Sequence, residues 1–314
     1  MYTIGIDLGG TNIVAGVVND DYEILASADC KTALPRPANE IMDDMARLCF
    51  EAVEKAGLTM QDVAHVGIGC PGTCNVDTGE VEYSNNLKFD HLMLGPEMEQ
   101  RLGLRVHIEN DANAAALGEA LAGAAKGTNS CVCITLGTGV GAGIIFDKKI
   151  YSGFNFAGAE IGHTVIVADG EPCNCGRNGC WESYASATAL IRQTRRMMEK
   201  HPESKMWELA KSLDKVNGLT AFNAMRAGDA AGKEVVDTYI NYVACGIANV
   251  INIFQPEVLC VGGGICKEGE TLMAPIRAYV ERERYSKYSV HQTRICVAQL
   301  GNNAGVIGAA CLGR

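Results

Sequence analysis

The segment Cys173-Asn174-Cys175-Gly176-Arg177-Asn178-Gly179-Cys180 sets three thiols within eight residues, with glycines between them. His163 stands ten residues upstream, in Gly158-Ala159-Glu160-Ile161-Gly162-His163. One imidazole and three thiolates make a closed tetrahedral set for Zn²⁺. Protein would fill all four positions, leaving none for a reacting water, so such a site is structural. The other eleven cysteines read as small buried hydrophobes. Cys70 and Cys74, on either side of Pro71-Gly72, are read as no metal pair.

A second chemistry lies in the glycine turns. Asp7-Leu8-Gly9-Gly10-Thr11 and Leu136-Gly137-Thr138-Gly139-Val140-Gly141 each join two apolar strand-like runs. Glycine permits positive φ and lets a phosphate come close to backbone N–H groups. Thr11 and Thr138 add hydroxyl donors, and an Asp beside such a turn can hold Mg²⁺ directly or through water. One such turn alone is equally an ordinary hairpin. Two related turns plus Gly262-Gly263-Gly264 point to nucleotide binding. The chain has no Gly-x₄-Gly-Lys-Ser/Thr run, which excludes a Walker-type loop, and no early dinucleotide fingerprint.

Glu109-Asn110-Asp111-Ala112-Asn113 leads from a strand into an Ala-rich helix. Asp111 there is either a helix cap or a general base for a substrate hydroxyl. The segment alone does not choose, and the helix N-terminus is expected to favour the ionised carboxylate. Glu160, His163 and Glu182 flank the thiol loop, and Asn86 and Asn110 lie near loop or strand ends. Carboxylates and amides at fixed positions are what a polyhydroxylated ligand requires. A zinc-fixed loop would fix Glu160 and Glu182 in turn, and His163 could offer its second ring nitrogen to a hydroxyl. Trp181 and Phe89 are read as core.

The elements that carry these residues alternate between strand and helix, which gives an α/β fold. Asn19-Asp20-Asp21 reads as a hairpin turn. Apolar residues at spacings of three and four make residues 38–56 an amphipathic helix. Strands are expected at 63–69, 105–108, 258–264, ending in the glycine cluster, and 295–300. Helices are expected at 112–125, 186–200, 203–213, 218–227, 230–254 and 303–312. Ile134-Thr135-Leu136-Gly137 aligns on Ile6-Asp7-Leu8-Gly9, so the two halves read as a duplication. The expected domains are 1–118 with a returning helix at about 301–314, and 119–300 with the thiol loop.

The chain is 47% hydrophobic and 20% charged, an ordinary globular mix that excludes disorder. A net charge of −10 argues against nucleic acid or an anionic membrane as partner. Residues 127–146 and 238–256 are uncharged, but their Gly, Thr and Asn content suits soluble strands and a buried helix. Met1-Tyr2-Thr3-Ile4 runs straight into a strand, so no leader is expected, and a cytoplasmic location with reduced thiols follows.

Together these motifs resemble the ROK family of bacterial sugar kinases, within the actin-like ATPase superfamily. The resemblance rests on Asp7-Leu-Gly-Gly-Thr-Asn12, Asn110-Asp111-Ala-Asn-Ala-Ala, Leu136-Gly-Thr-Gly-Val-Gly, and Gly158-Ala-Glu-Ile-Gly-His with Cys173-x-Cys-Gly-x-x-Gly-Cys-x-Glu182. The last is the most specific, and the likeness spans essentially the whole chain. It implies two actin-like (ribonuclease H-like) α/β domains with a cleft, ATP, Mg²⁺, a structural Zn²⁺ and a homodimer. It also implies phosphorylation of a hexose at O6, with glucose first. On matching positions, Asp111 becomes the base, and Asn86, Asn110, Glu160, His163 and Glu182 hold sugar hydroxyls. Asp7, Gly9, Gly10, Thr11, Asn12, Gly137, Thr138 and Gly139 face phosphate, Gly262, Gly263 and Gly264 border adenosine, and His163, Cys173, Cys175 and Cys180 take zinc. After Asn86 the family often carries Trp, where this chain has Phe89 nearby. Family repressors place a DNA-binding domain before the first motif, and none is expected before Asp7. The alternatives are a kinase for another hexose or N-acetylmannosamine, and a non-catalytic sugar sensor.

Overall fold

The computed structural model describes all 314 residues. Its first part runs β1 (Tyr2–Leu8), β2 (Asn12–Val18), β3 (Ile24–Lys31), α1 (Ala38–Lys55), β4 (Val63–Cys70), β5 (Thr73–Asn75), β6 (Glu80–Ser84), β7 (Phe89–Leu92), α2 (Leu94–Leu102), β8 (Val106–Asn110) and α3 (Asp111–Leu121). Then follow β9 (Cys131–Leu136), β10 (Val140–Phe146), β11 (Lys149–Ile150), α4 (Glu182–Ala185), α5 (Ala187–Lys200), α6 (Lys205–Ala210), α7 (Thr220–Arg226) and α8 (Ala230–Phe254). The chain ends with β12 (Val258–Gly262), α9 (Glu270–Glu283), β13 (Arg294–Val297) and α10 (Asn303–Ala310).

Two five-stranded sheets have matching orders, β3-β2-β1-β4-β8 and β11-β10-β9-β12-β13. In each, antiparallel strands lie on one side and a parallel pair on the other. The duplication expected from the two glycine turns is therefore a duplication of topology, with β1-turn-β2 equivalent to β9-turn-β10. A small sheet, β5-β6-β7, and the helix α2 were not anticipated.

The chain packs as two compact units. The first contains Met1–Cys133, Ala142–Ala159 and Ala298–Arg314; the second contains Ile134–Gly141 and Glu160–Val297. In the first unit, strands of Ile, Val and Leu bury Ile4, Ile6, Leu8, Ile13 and Val17 completely. α1 covers them with Ile41, Met45, Leu48, Ala52 and Val53, the stripe that the spacing predicted. α10 lies so close to the sheet that a side chain at Gly5 or Gly67 would begin 1.9 or 1.8 Å from a helix carbonyl oxygen.

Glu119 explains three differences from expectation. This buried carboxylate accepts from the Ala124 N–H at 2.7 Å, so α3 stops at Leu121 rather than near 125. It also accepts from Gln299 and Leu300 N–H at 3.1 and 2.8 Å, so β13 ends at Val297 rather than at 300. These bonds hold residues 119–133 in the first unit, whereas the sequence reading began the second domain at 119. The 301–314 segment returns to the first unit. No helix is long and apolar enough to cross a membrane.

Candidate functional site

In the second unit, the ligand atoms of His163, Cys173, Cys175 and Cys180 lie within 4.8 Å of one another. Cys173 Sγ is 3.6 Å from His163 Nδ1, and Cys175 Sγ is 3.6 Å from Cys180 Sγ. A tetrahedron with Zn–S bonds of about 2.3 Å has edges near 3.7 Å, so the donor set fits Zn²⁺ and the sulfurs are far too distant for a disulfide. Backbone bonds shape the loop: Cys173 N–H donates to Arg177 O at 2.8 Å, and Gly176 N–H to Cys173 O at 3.0 Å. Trp181, fully buried, anchors its end through Nε1–H to Tyr242 O at 2.8 Å. With Nδ1 turned to the thiols, His163 Nε2 stands 4.0 Å from Glu160 Oε2.

Glu182 joins this centre to the second glycine turn. Its Oε2 accepts from Val140 N–H at 2.9 Å, and its Oε1 lies 4.0 Å from Cys173 Sγ. A Cβ at Gly139 would fall 2.2 Å from Oε2, so glycine there makes room for the carboxylate. The turn's other side is fixed by α5, with Ala187 N–H on Gly137 O at 2.8 Å and Thr188 Oγ1 on Thr138 O at 2.8 Å. Gly263 has φ +105°, and a Cβ on it would meet Leu136 O at 2.1 Å, which brings the third glycine cluster against the second. Gly9, Gly10, Gly137 and Gly139 are absent from the left-handed region. Positive φ is therefore not why glycine stands in these turns; at Gly139 the reason is the close approach of Glu182.

In the first unit, Asn110 and not Asp111 caps α3. Asn110 Oδ1 accepts from Ala112 and Asn113 N–H at 2.9 and 3.2 Å, and its amide donates to Gly72 O at 3.1 Å. Asp111, the first helical residue, is released from that duty. Burial pushes its carboxyl above the usual carboxylate range, outweighing a bond from Ala112 N–H at 2.9 Å. The expectation that the helix end keeps Asp111 readily ionised is thus reversed by desolvation. Asp7 is raised to about 6, first by burial and second by the neighbouring Asp111. Two carboxylates that oppose each other's charge fit a divalent cation. The turn between β1 and β2 closes through Gly9 N–H to Asn12 O at 2.9 Å, leaving Gly10, Thr11 and Asn12 exposed. The Cβ of exposed Asn86 would be 4.0 Å from a Cβ at Gly10, so its loop reaches the first turn. Phe89 is core, as expected.

The ROK family model matches residues 3–314. The chain belongs to the ROK family. A glucokinase of Streptomyces coelicolor is 38% identical over 315 residues, 99% of this chain and 97% of that one. A glucokinase of Thermotoga maritima is 35% identical, over 98% of this chain and 96% of that one. A ROK glucokinase from Streptomyces griseus, solved with glucose and AMPPNP, superposes with TM-score 0.83 at 38% identity, covering 99% of each chain. The fold is the actin-like α/β fold that the resemblance implied.

Against this ROK frame, two residues escaped the sequence reading. Lys31 Nζ donates to Asn12 Oδ1 at 2.8 Å, adding a cation beside the first glycine turn. Glu109, buried, accepts from Asn110 N–H at 2.9 Å, Asn113 Nδ2 at 3.1 Å and Ser152 Oγ at 3.0 Å, and so holds the start of α3. Two adjacent polar residues, Glu109-Asn110, closing an apolar strand were the available signal.

The raised Asp7 carboxyl gives a measurable sign. Its favourable contribution is complete below the ordinary value of 3.8 and is lost as pH rises through about 6. Above that, the ionised form costs roughly 3 kcal/mol relative to an unperturbed Asp. Asp7→Asn should therefore raise the melting temperature at pH 8, leave it nearly unchanged at pH 4, and abolish any stabilisation by Mg²⁺. Thermal melts at both pH values, with and without Mg²⁺, check this. An equal change at both would remove the electrostatic account.

Proposed function

We propose that this chain is an ATP-dependent hexokinase that transfers the γ-phosphoryl group to O6 of glucose. The observation that carries the reading is Asp111: a half-buried carboxylate at a strand-to-helix junction, relieved of capping by Asn110 and held above the ordinary carboxylate range by burial. Raising a carboxylate's pKa makes it a stronger acceptor for a hydroxyl proton.

The hexose O6–H donates to Asp111 while O6 attacks the γ-phosphorus. The O6–P bond forms, the bond from phosphorus to the β,γ-bridging oxygen breaks, ADP leaves, and the carboxylate keeps the proton. Catalysis is positioning and electrostatics. Backbone N–H groups of the 9–12 and 137–139 turns, with the Thr11 and Thr138 hydroxyls, receive phosphate oxygens. Asp7 is the residue to hold Mg²⁺, which neutralises phosphate charge when bound. Gly262, Gly263 and Gly264 border adenosine.

His163, through Nε2, Glu160 and Asn86 are the residues to hold sugar hydroxyls. Asn110 and Glu182 are the further residues to hold sugar hydroxyls; Glu182 takes Val140 N–H on Oε2, which leaves Oε1 for a hydroxyl. A structural Zn²⁺ on His163, Cys173, Cys175 and Cys180 fixes the loop. The protein is expected to be a cytoplasmic homodimer. The test is ADP release with Mg-ATP across glucose, mannose, fructose, allose and N-acetylmannosamine. Glucose-dependent release yielding glucose 6-phosphate supports the reading. Preference for another sugar moves the substrate, and sugar binding without turnover overturns catalysis.

A further inference from the structure

Behind the thiol loop, the second unit contains a cavity of about 330 Å³ lined by none of the residues assigned above. That is the size of a metabolite site. One wall is the face of α5 that presents Arg192, Arg196 and Lys200, four residues apart in turn. Glu171, from the loop, is their counter-charge. Arg196 grips it with two bonds, at 2.5 and 3.1 Å, and Arg192 Nε stands 3.8 Å from its Oε2. Exposed Glu234 on α8 is the other acid on the wall, so cations remain in excess.

Beside this cavity, Arg192 Nε and Gln193 Oε1 are enclosed without a hydrogen-bond partner. Arg192 Nη2 donates to Ser183 O, and Gln193 Nε2 donates to Tyr184 O at 2.9 Å. Tyr184 and Tyr242, with ring centroids 4.6 Å apart and planes tilted by 43°, supply an aromatic wall for a carbon skeleton.

We propose that this cavity is a second ligand site, for a small hydroxylated organic phosphate. Two guanidinium forks and an ammonium suit a dianion better than a neutral sugar. Glu171 then acts as the resident anion that a phosphate displaces or shares. Thr238 and Glu234 are placed to meet further hydroxyls.

The test is titration calorimetry on the full chain, holding glucose and a non-hydrolysable ATP analogue at saturation. The probes are ribose 5-phosphate, glycerol 3-phosphate and inorganic phosphate. The expected result is one site for ribose 5-phosphate with Kd below about 1 mM. It should weaken at least roughly tenfold in Arg196→Gln/Lys200→Gln, whose glucose-dependent turnover stays at the wild-type level. Thr238→Val, which removes a hydroxyl from the lining, should weaken the organic phosphates more than inorganic phosphate. Absence of saturable binding, or equal binding by wild type and both variants, overturns the site. Inorganic phosphate binding as tightly as the organic probes overturns the ligand class.

Discussion

Asp111→Asn is expected to lower kcat by a factor of about 10² to 10⁴ and to leave KM for ATP within roughly threefold. The substitution is nearly isosteric and keeps an oxygen for Ala112 N–H, but an amide cannot take a proton. The usual objection to mutating the first residue of a helix is loss of a cap. It does not apply, because Asn110 supplies the cap through two bonds. Stability should in fact rise. The folded-state pKa of Asp111 lies above the ordinary carboxylate value, chiefly because of burial. Its favourable term is present below that ordinary value and lost as pH rises through the folded one. At pH 8 the variant should therefore melt above wild type, and the difference should close in acid. Steady-state kinetics and melts on one preparation separate the two effects. A variant that turns over normally, or one that loses activity only because it melts early, removes Asp111 from the reaction. The wild-type rate should also fall on the acid side at a pH above the ordinary carboxylate range, with Asp7, raised to about 6, contributing to the same limb.

That the base could be named from sequence and yet not chosen over a cap has a physical reason. Asn110 and Asp111 are both good caps by type, and only their backbone angles differ in effect. Asn110, at φ −58° and ψ 142°, stands just outside the helix, where its oxygen reaches Ala112 and Asn113 N–H. The thiol loop was legible because its ligands are local and chemically unambiguous. The strand-turn-strand repeat was legible because it recurs in the same residue types. Lys31 was hidden by a one-residue register shift between Val17 and Val18. Counting outward from the turn without that shift pairs Asn12 with Cys30; the irregularity moves Lys31 opposite Asn12 instead. Glu119 was hidden for another reason. Its partners, at 299 and 300, are remote in sequence, and nothing local in an Ala-rich helix says that its carboxylate turns inward to backbone N–H groups.

Removal of the metal should have the second largest effect, and Cys175→Ser is the informative way to cause it. Cys175 is exposed, whereas Cys180 is fully buried, so the change at 175 sacrifices one ligand without opening a cavity. Zinc content should drop from one per chain to near zero. KM for the sugar should rise on the order of 10- to 100-fold. The rise follows from the connections around the centre: His163 meets the thiols through Nδ1 and Glu160 through its other face, and Glu182 spans from Cys173 to Val140 N–H. Once the thiols no longer converge, the imidazole loses its fixed orientation, and the carboxylate that fills the space over Gly139 is free to leave. Global unfolding is not expected, because Trp181 stays buried and bonded to Tyr242 O independently of the thiols. The expected pattern is therefore a modest fall in melting temperature with a large loss of sugar affinity and a small change in KM for ATP. Chelation of the wild type should reproduce it, and Zn²⁺ should restore the chelated protein but not the variant. A metal-free protein with unchanged sugar affinity would show that packing around Trp181 alone holds the loop.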